Sequence, residues 1–198
     1  MIKHLNLKSL RNNIIPLAMV ILSVSCQSEY QKMEKRELSS GRMENDIFLG
    51  LELGMTQKSF YEVCWDLNKE GVLTNGPTEL SVEYRADMPS GNLAFMRFFP
   101  KFHEKKIFLM PVEFTYESFA PWNEDLDSDH LLEDVKTLFE DWYGEGFIEV
   151  SDKDRRKRAW VKVDGNRRIR IFKKHISVIR AEIVDLPLQR TIQTKRPS

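Results

Sequence analysis

The sequence predicts an α+β fold in which an antiparallel sheet carries two helices on one face. Three observations predict this fold: two amphipathic helix patterns, a run of strand-like segments after each of them, and turn residues between those segments. Strands that follow one another directly along a chain pair antiparallel, because parallel pairing requires a long crossover connection. Each helix has a single apolar stripe and is expected to bury that stripe against the sheet.

The first helix is predicted between Thr56 and Gly71. Thr56 can act as the N-cap, and Gly71 supplies a residue type on which helices commonly end. The apolar residues between them recur at the spacing of one helix face, and they are Phe60, Val63, Cys64 and Leu67. Because Cys64 lies on this stripe, we interpret it as a small buried hydrophobic residue and not as a nucleophile.

The second helix is predicted from Asp129 to Tyr143, with Gly144 after its last turn. Its apolar face consists of Leu131, Leu132, Val135, Leu138, Phe139 and Trp142. The order of a helix followed by strands therefore occurs twice, in the halves 47–120 and 121–187. A tandem duplication would produce this order, and so would a chance similarity between two helix patterns.

Seven segments have the composition and boundaries of strands: 80–85, 93–99, 106–116, 147–150, 158–163, 168–172 and 177–184. Pro111 interrupts the third of these and predicts a bulge or an edge position, because proline cannot donate a hydrogen bond to a sheet. The sequence Val163-Asp164-Gly165-Asn166 predicts a tight hairpin turn.

The chain begins with a pattern typical of an export signal. Basic residues precede an uncharged apolar segment, 14–24, which at about 1.5 Å per residue is too short for the ~30 Å core of a bilayer. The small residues before Cys26 resemble a bacterial lipoprotein signal, in which the cysteine is lipidated and becomes the new N-terminus. Ser23 departs from the usual aliphatic residue three positions before the cysteine, so ordinary cleavage and an uncleaved anchor stay open as alternatives.

This interpretation makes residues 1–25 a signal peptide and places the mature protein in the cell envelope, bound to a membrane through a lipid on Cys26. Gln27 after the cysteine resembles the sorting signal of outer-membrane lipoproteins and leaves open which side of that membrane the protein faces. We expect a flexible tether over 26–46, a single domain over 47–187 and a mobile tail over 188–198.

The run Leu53-Gly54-Met55-Thr56 before the first helix resembles the start of that helix in the small outer-membrane-assembly lipoproteins of the SmpA/OmlA group, and in the related β-lactamase-inhibitor-protein-like fold. It is also similar to small lipoproteins of the Bacteroidetes type, in which a later helix ends near Tyr-Gly, here Tyr143-Gly144. This resemblance implies a helix-plus-antiparallel-sheet module with a scaffolding or inhibitory binding role. It transfers no functional residue.

No motif for a catalytic site or a cofactor is present, and we expect neither. Asp125, Asp127 and Asp129 alternate as in the first half of a calcium-binding loop, but the sixth position is His130 and the twelfth is Lys136. We therefore expect no metal site and interpret these carboxylates as the acidic start of a helix.

Charge is balanced overall and segregated locally. The chain has 30 basic and 30 acidic side chains, which together with the export signal argues against binding of nucleic acid. Residues 117–149 contain eleven acidic residues and one basic residue, whereas 151–175 contain eleven basic and three acidic residues. The segment 153–174 is therefore either an anion-binding hairpin or the solvated face of a hairpin that the acidic helix neutralises.

Two strands are apolar on both faces, and such strands are covered on both faces. A partner protein, a second copy of the chain or the rest of the same chain can provide the second cover. The candidate partner-binding residues are Phe95, Phe98, Ile107 and Leu109.

The leading hypothesis is a non-enzymatic, lipid-anchored envelope protein that acts as a protein-binding or scaffolding module. The alternative is a binder of anionic glycan or lipid headgroups through the basic hairpin, with Arg158, Arg168, Arg170 and Lys173 as its candidate residues. An enzyme whose site leaves no trace in one sequence is the third hypothesis.

Overall fold

The computed structural model describes residues 28–78, 80–152 and 158–195, which form an α+β fold with an open antiparallel sheet. Within these residues the helices are α1 (Glu29–Ser40), α2 (Gln57–Lys69), α3 (Ser128–Tyr143) and α4 (Leu186–Thr194). The strands are β1 (Leu73–Asn75), β2 (Val82–Asp87), β3 (Leu93–Phe98), β4 (Lys101–His103), β5 (Lys106–Tyr116), β6 (Ile148–Ser151), β7 (Arg158–Asp164), β8 (Arg167–His175) and β9 (Val178–Asp185).

The strand order across the sheet is β1-β2-β3-β5-β9-β8-β7-β6, and the short β4 pairs with the start of β5. Each half of the domain is thus a helix followed by an antiparallel meander, and the last strands of the two meanders pair with each other at the middle of the sheet. The predicted halves have the same order of elements, and their origin by duplication stays a prediction.

The two predicted helices, α2 and α3, cover one face of the sheet. Thr56 caps α2 by accepting a hydrogen bond from the Ser59 amide at 3.1 Å, and Asp127 caps α3. Phe60 of α2 and Phe139 of α3 lie in one continuous core with alternate residues of the strands. The sheet residues of this core include Met96, Phe114, Ile169, Ile171, Ile179 and Ile183.

The predicted flexible tether over 26–46 is wrong for its described part, because that part contains α1. Ser28 and Gln31 form a capping box, in which each side chain bonds the backbone of the other residue. The helix ends at Gly41 in the left-handed conformation. Folded structure therefore begins far ahead of the predicted start at residue 47.

α1 packs on the second face of the sheet, which we define as the face that points away from α2 and α3. Met33 is buried there with Val163 of β7 and Leu186 at the start of α4. Glu37 is also buried and accepts hydrogen bonds from Arg42 at 2.6 Å and from the Gly165 amide at 3.3 Å. The Glu44 amide donates to Asn166 at 2.6 Å, so the chain after α1 follows the turn of the β7–β8 hairpin.

The predicted mobile tail over 188–198 is also wrong for its described residues. Asp185 accepts a hydrogen bond from the Leu188 amide at 2.9 Å, and Pro187 occupies the first turn, where a missing N–H has no cost. The helix that follows, α4, contacts β5 and β9. Two helices that were not predicted therefore lie on the second face of the sheet.

The Glu37 contact gives a pH-dependent prediction. Burial by itself would raise the pKa of Glu37, but hydrogen bonds from Arg42, Arg36 and the Gly165 amide outweigh it and lower the pKa below the ordinary value of a glutamate. The charged form therefore stabilises the fold above its ordinary pKa, and this contribution is lost as the pH falls through the lowered pKa. We expect Glu37→Gln to lower the free energy of unfolding by about 1–2 kcal/mol at neutral pH and by less near pH 3.

Denaturant titration of the two proteins at both pH values measures this difference. Glu62→Gln is the matched control, because the Glu62 side chain is 60% exposed on α2. A Glu37→Gln effect that is the same at both pH values would contradict the expected role of the carboxylate.

In the described part of the chain, no helix has both the length and the apolar character needed to cross a membrane.

Candidate functional site

The basic hairpin formed by β7 and β8 presents its charges on two different faces. The register of β8 puts Arg168 and Arg170 opposite Val184 and Glu182 on the second face, whereas Ile169 and Ile171 point into the core. Lys173 is on the same side of the sheet as Ile169 and Ile171, and its ammonium group donates a hydrogen bond to Asp129 of α3 at 2.7 Å. The four candidate anion-binding residues therefore do not form one surface, and only Arg168 and Arg170 come together.

Arg158, the fourth candidate, lies at the other end of the hairpin and is 3.9 Å from Glu149. Together with Trp160, His130 and Glu133, it lines a cavity of about 260 Å³. In the sequence, Arg158 directly follows residues 153–157, which lie outside the described part of the chain.

Two more cations of the hairpin are buried and serve the fold. The Lys162 ammonium bonds the carbonyls of Tyr143 and Gly144, which satisfies the free acceptors at the end of α3 and places a positive charge at the negative end of the helix. Arg167 bonds the Asp46 carbonyl at 2.7 Å and stacks on Tyr143, whose pKa is raised by burial. These residues account for part of the segregated basic charge.

Arg168 and Arg170 line a cavity of about 330 Å³ on the second face, which we call the arginine cavity. β8 and β9 form its floor, α4 forms one wall and α1 contributes Glu34. Its lining is polar apart from one leucine and consists of Glu34, Arg168, Arg170, Glu182, Leu186, Gln189, Arg190 and Gln193. Three arginines and two glutamates leave a formal excess of one positive charge.

The three arginines differ in their partners. Arg170 bonds Glu182 at 2.9 Å, and Arg190 of α4 pairs with Glu34 of α1. Arg168 donates only to neutral groups, Gln189 at 2.8 Å and the Tyr30 hydroxyl at 3.4 Å. Among the described residues, no carboxylate lies within ion-pair distance of Arg168.

The arginine cavity also contains guanidinium donors that make no hydrogen bond to the described residues. Each guanidinium has five N–H donors, one of them on Nε, and within the described residues the terminal nitrogens make two hydrogen bonds in Arg168 and one in Arg170. The Nε atoms of both residues, like that of Arg167, are buried without a partner in the described part of the chain, so a ligand in the cavity does not contact them. Unused guanidinium donors in a cavity with excess positive charge can bind the oxygens of an anion.

A chain of ion pairs extends from this cavity across the second face. Arg180 links Glu182 at 3.1 Å to Glu113 at 2.7 Å, and Lys174 bonds Glu113 at 2.5 Å. Burial by itself would raise the pKa of Glu113, but Lys174 and Arg180 outweigh it and lower the pKa. The alternating charges hold Arg170 and Glu182 in place at the edge of the cavity.

The four candidate partner-binding residues do not form an exposed surface. Phe98, Ile107 and Leu109 are buried, so a partner cannot reach them, and the prediction that they form a binding surface is wrong. Phe95 is half-buried on the second face, with the Arg97 guanidinium 5.0 Å from its ring centre.

Other segments of the same chain pack over these residues and bury them. The segment 54–57 lies along the start of β5, with the Ile107 amide donating to the Met55 carbonyl at 2.9 Å. Leu109 pairs with Val184, and α4 contacts both of their strands. Intrachain burial, one of the three covers left open by the sequence, therefore accounts for the apolar second side of β5.

Other residues whose side chains could take part in catalysis or metal binding have structural roles. Burial raises the pKa of the Cys64 thiol to about 11, so the thiol stays protonated at neutral pH. Asp127 accepts the amides of Asp129 and His130 at 2.8 and 2.9 Å, and these hydrogen bonds, that from His130 first, lower its pKa. Within 28–78, 80–152 and 158–195, no three His, Cys, Asp or Glu side chains are grouped so as to hold a metal ion.

Sequence reasoning missed Glu34, Gln189 and Arg190, because it assigned them to a tether and a tail. The signals for both helices were present in the sequence: the Ser28 and Gln31 pair of a capping box, and Asp185 followed by Pro187 at a helix start. The candidate lipidation residue, Cys26, lies outside the described residues.

Comparison of the chain with models of protein families, with curated proteins and with solved structures finds no match.

Proposed function

We propose that the protein is a non-enzymatic, lipid-anchored protein of the cell envelope that binds an anionic group in the arginine cavity. The observation that carries this proposal is Arg168, which lines the cavity without a carboxylate partner among the described residues. Guanidinium donors in a planar fork match the paired oxygens of a phosphate or carboxylate. An anion in the cavity would accept hydrogen bonds from the terminal N–H groups of Arg168 that have no partner among the described residues.

The surrounding contacts support the proposal because they hold the donors in fixed positions. Glu182 holds Arg170, Glu34 holds Arg190, and Gln189 holds Arg168. A site whose side chains are ordered before binding loses less conformational entropy when the ligand arrives. The same carboxylates keep the cavity only slightly positive, which favours a small anion over an extended polyanion.

Anion binding is favoured here over a protein-binding or scaffolding role, which was the leading hypothesis from sequence. The residues expected to form a protein interface are mostly buried in the core, whereas two of the residues expected to bind an anion line one cavity. The lipid anchor enters the proposal from the sequence pattern that ends at Cys26.

Titration calorimetry of the full chain with inorganic pyrophosphate tests the anion site. We expect Arg168→Gln to weaken pyrophosphate binding at least about tenfold, because hydrogen bonds to charged groups contribute about 1.5–3 kcal/mol each. Arg85→Gln is the matched control, since it removes the same charge from the second face but at β2, where Arg85 pairs with Glu117. No pyrophosphate binding by the natural chain, or equal loss in the two variants, would refute the site.

A further inference from the structure

The arginine cavity lies next to the first turns of α1. Arg168 donates to the hydroxyl of Tyr30, the second residue of this helix, and Glu34 in its second turn lines the cavity. At about 1.5 Å per residue, Glu34 is within about 8 Å of the start of the helix along its axis. The cavity therefore lies beside the N-terminal half of α1.

The N-terminal end of α1 is close to the candidate lipidation residue. Ser28 caps the helix, and it follows Cys26 by two residues. Two residues span at most about 7 Å and the six from Ser28 to Glu34 rise about 9 Å, so Glu34 is within about 16 Å of the anchor position along the helix axis. The polar headgroup region is on the order of 5–8 Å deep in each leaflet of a bilayer, which brings headgroups within reach of the cavity.

The cavity suits a small charged group. Its volume of about 330 Å³ is near the lower end of the range for ligand sites, about 300–1,000 Å³, which is small for an oligosaccharide. Its polar lining offers no surface for acyl chains, so a lipid would insert only its headgroup. α4 and its C-cap carry two exposed cations, Arg190 and Lys195, and no acidic residue, which favours an anionic surface at this helix. On α1 the three cations Lys32, Lys35 and Arg36 are balanced by Glu29, Glu34 and Glu37.

We infer that the arginine cavity binds the phosphate of an anionic phospholipid headgroup in the same membrane that holds the lipid anchor. This inference rests on the proposed function, because it needs both the anchor and the anion site. The anchor keeps the protein at the membrane, and the headgroup contact fixes α1 and α4 against the bilayer surface. The domain then has one preferred orientation on the membrane.

Native mass spectrometry of the membrane-extracted full chain in detergent, with added phosphatidylglycerol, tests this inference. We expect one bound phosphatidylglycerol for each protein and at least about tenfold lower affinity in Arg168→Gln, because the variant loses charge-assisted hydrogen bonds. Arg85→Gln should bind the lipid as the natural chain does. Arg170→Gln is a second test variant if melting curves show that Arg168→Gln does not fold.

A parallel titration with glycerol 3-phosphate separates a lipid from a free phosphate compound. Preference for phosphatidylglycerol, lost in the cavity variants, supports the inference. Equal binding of glycerol 3-phosphate, or phosphatidylglycerol binding that the cavity variants do not change, overturns it. If pyrophosphate binds and phosphatidylglycerol does not, only the lipid inference fails, and if neither binds, the anion site of the proposed function fails with it.

Discussion

Replacing Cys26 with serine is expected to move the protein from the membrane fraction to the soluble fraction and to remove the lipid from its intact mass. Serine lacks the thiol that the lipoprotein signal would modify. Each acyl chain contributes about 0.8 kcal/mol per buried CH₂ group, so a multiply acylated cysteine holds a protein at the bilayer essentially permanently. A headgroup contact alone is reversible and does not replace this anchor.

Cell fractionation and intact-mass measurement of the natural chain and the variant check this result. Cys64→Ser is the matched control, because it removes the other of the two cysteines of the chain. It should leave the protein on the membrane, since Cys64 is a half-buried residue of α2 with a raised pKa. A natural chain with an unprocessed or lipid-free N-terminus would refute the anchor.

Replacing Gly165 with alanine is expected to lower the free energy of unfolding by about 2–5 kcal/mol. Gly165 opens the two-residue turn of the β7–β8 hairpin with a φ of +52°, in the left-handed region that costs other residues about 1–2 kcal/mol. An added Cβ would also lie 2.3 Å from the carbonyl oxygen of Arg42, so the backbone after α1 would have to shift. Such overpacking costs a further ~1–3 kcal/mol.

Gly91→Ala separates these two contributions. Gly91 has a φ of +83°, and a Cβ added there would meet no atom within 4 Å. The control should therefore lose only the conformational part, about 1–2 kcal/mol, in the same denaturant titration. Equal losses in the two variants would show that the chain after α1 does not lie against the hairpin turn.

Local sequence patterns are sufficient to predict α2 and α3, because their caps and apolar stripes lie within each segment. Thr56 accepts a hydrogen bond from the amide of Ser59, three residues further on, and Phe60 starts a stripe of period 3.6. The hairpin at Gly165 was equally predictable, since a two-residue turn depends on the residues in it.

The second face of the sheet depends on contacts between residues that are distant in sequence. α1 is highly charged, and only its docking against β7 and the hairpin turn makes a helix there more favourable than a solvated coil. Glu37 meets the Gly165 amide across 128 positions, and no local pattern encodes such a contact. The apolar second side of β5 was visible in the sequence, but the segments that cover it were not.

The candidate site also combines features that local sequence patterns predict with features that depend on contacts distant in sequence. The sequence is sufficient to place Arg168 and Arg170 on one face of a strand, because side chains alternate along β structure. Which cations of the hairpin pair with a carboxylate depends on long-range contacts. Lys173 and Arg170 bond carboxylates on other elements, whereas Arg168 bonds only neutral partners among the described residues. An arginine can bind an anionic ligand when no carboxylate of the protein pairs with it. Whether a carboxylate lies close enough depends on the packing of the whole chain.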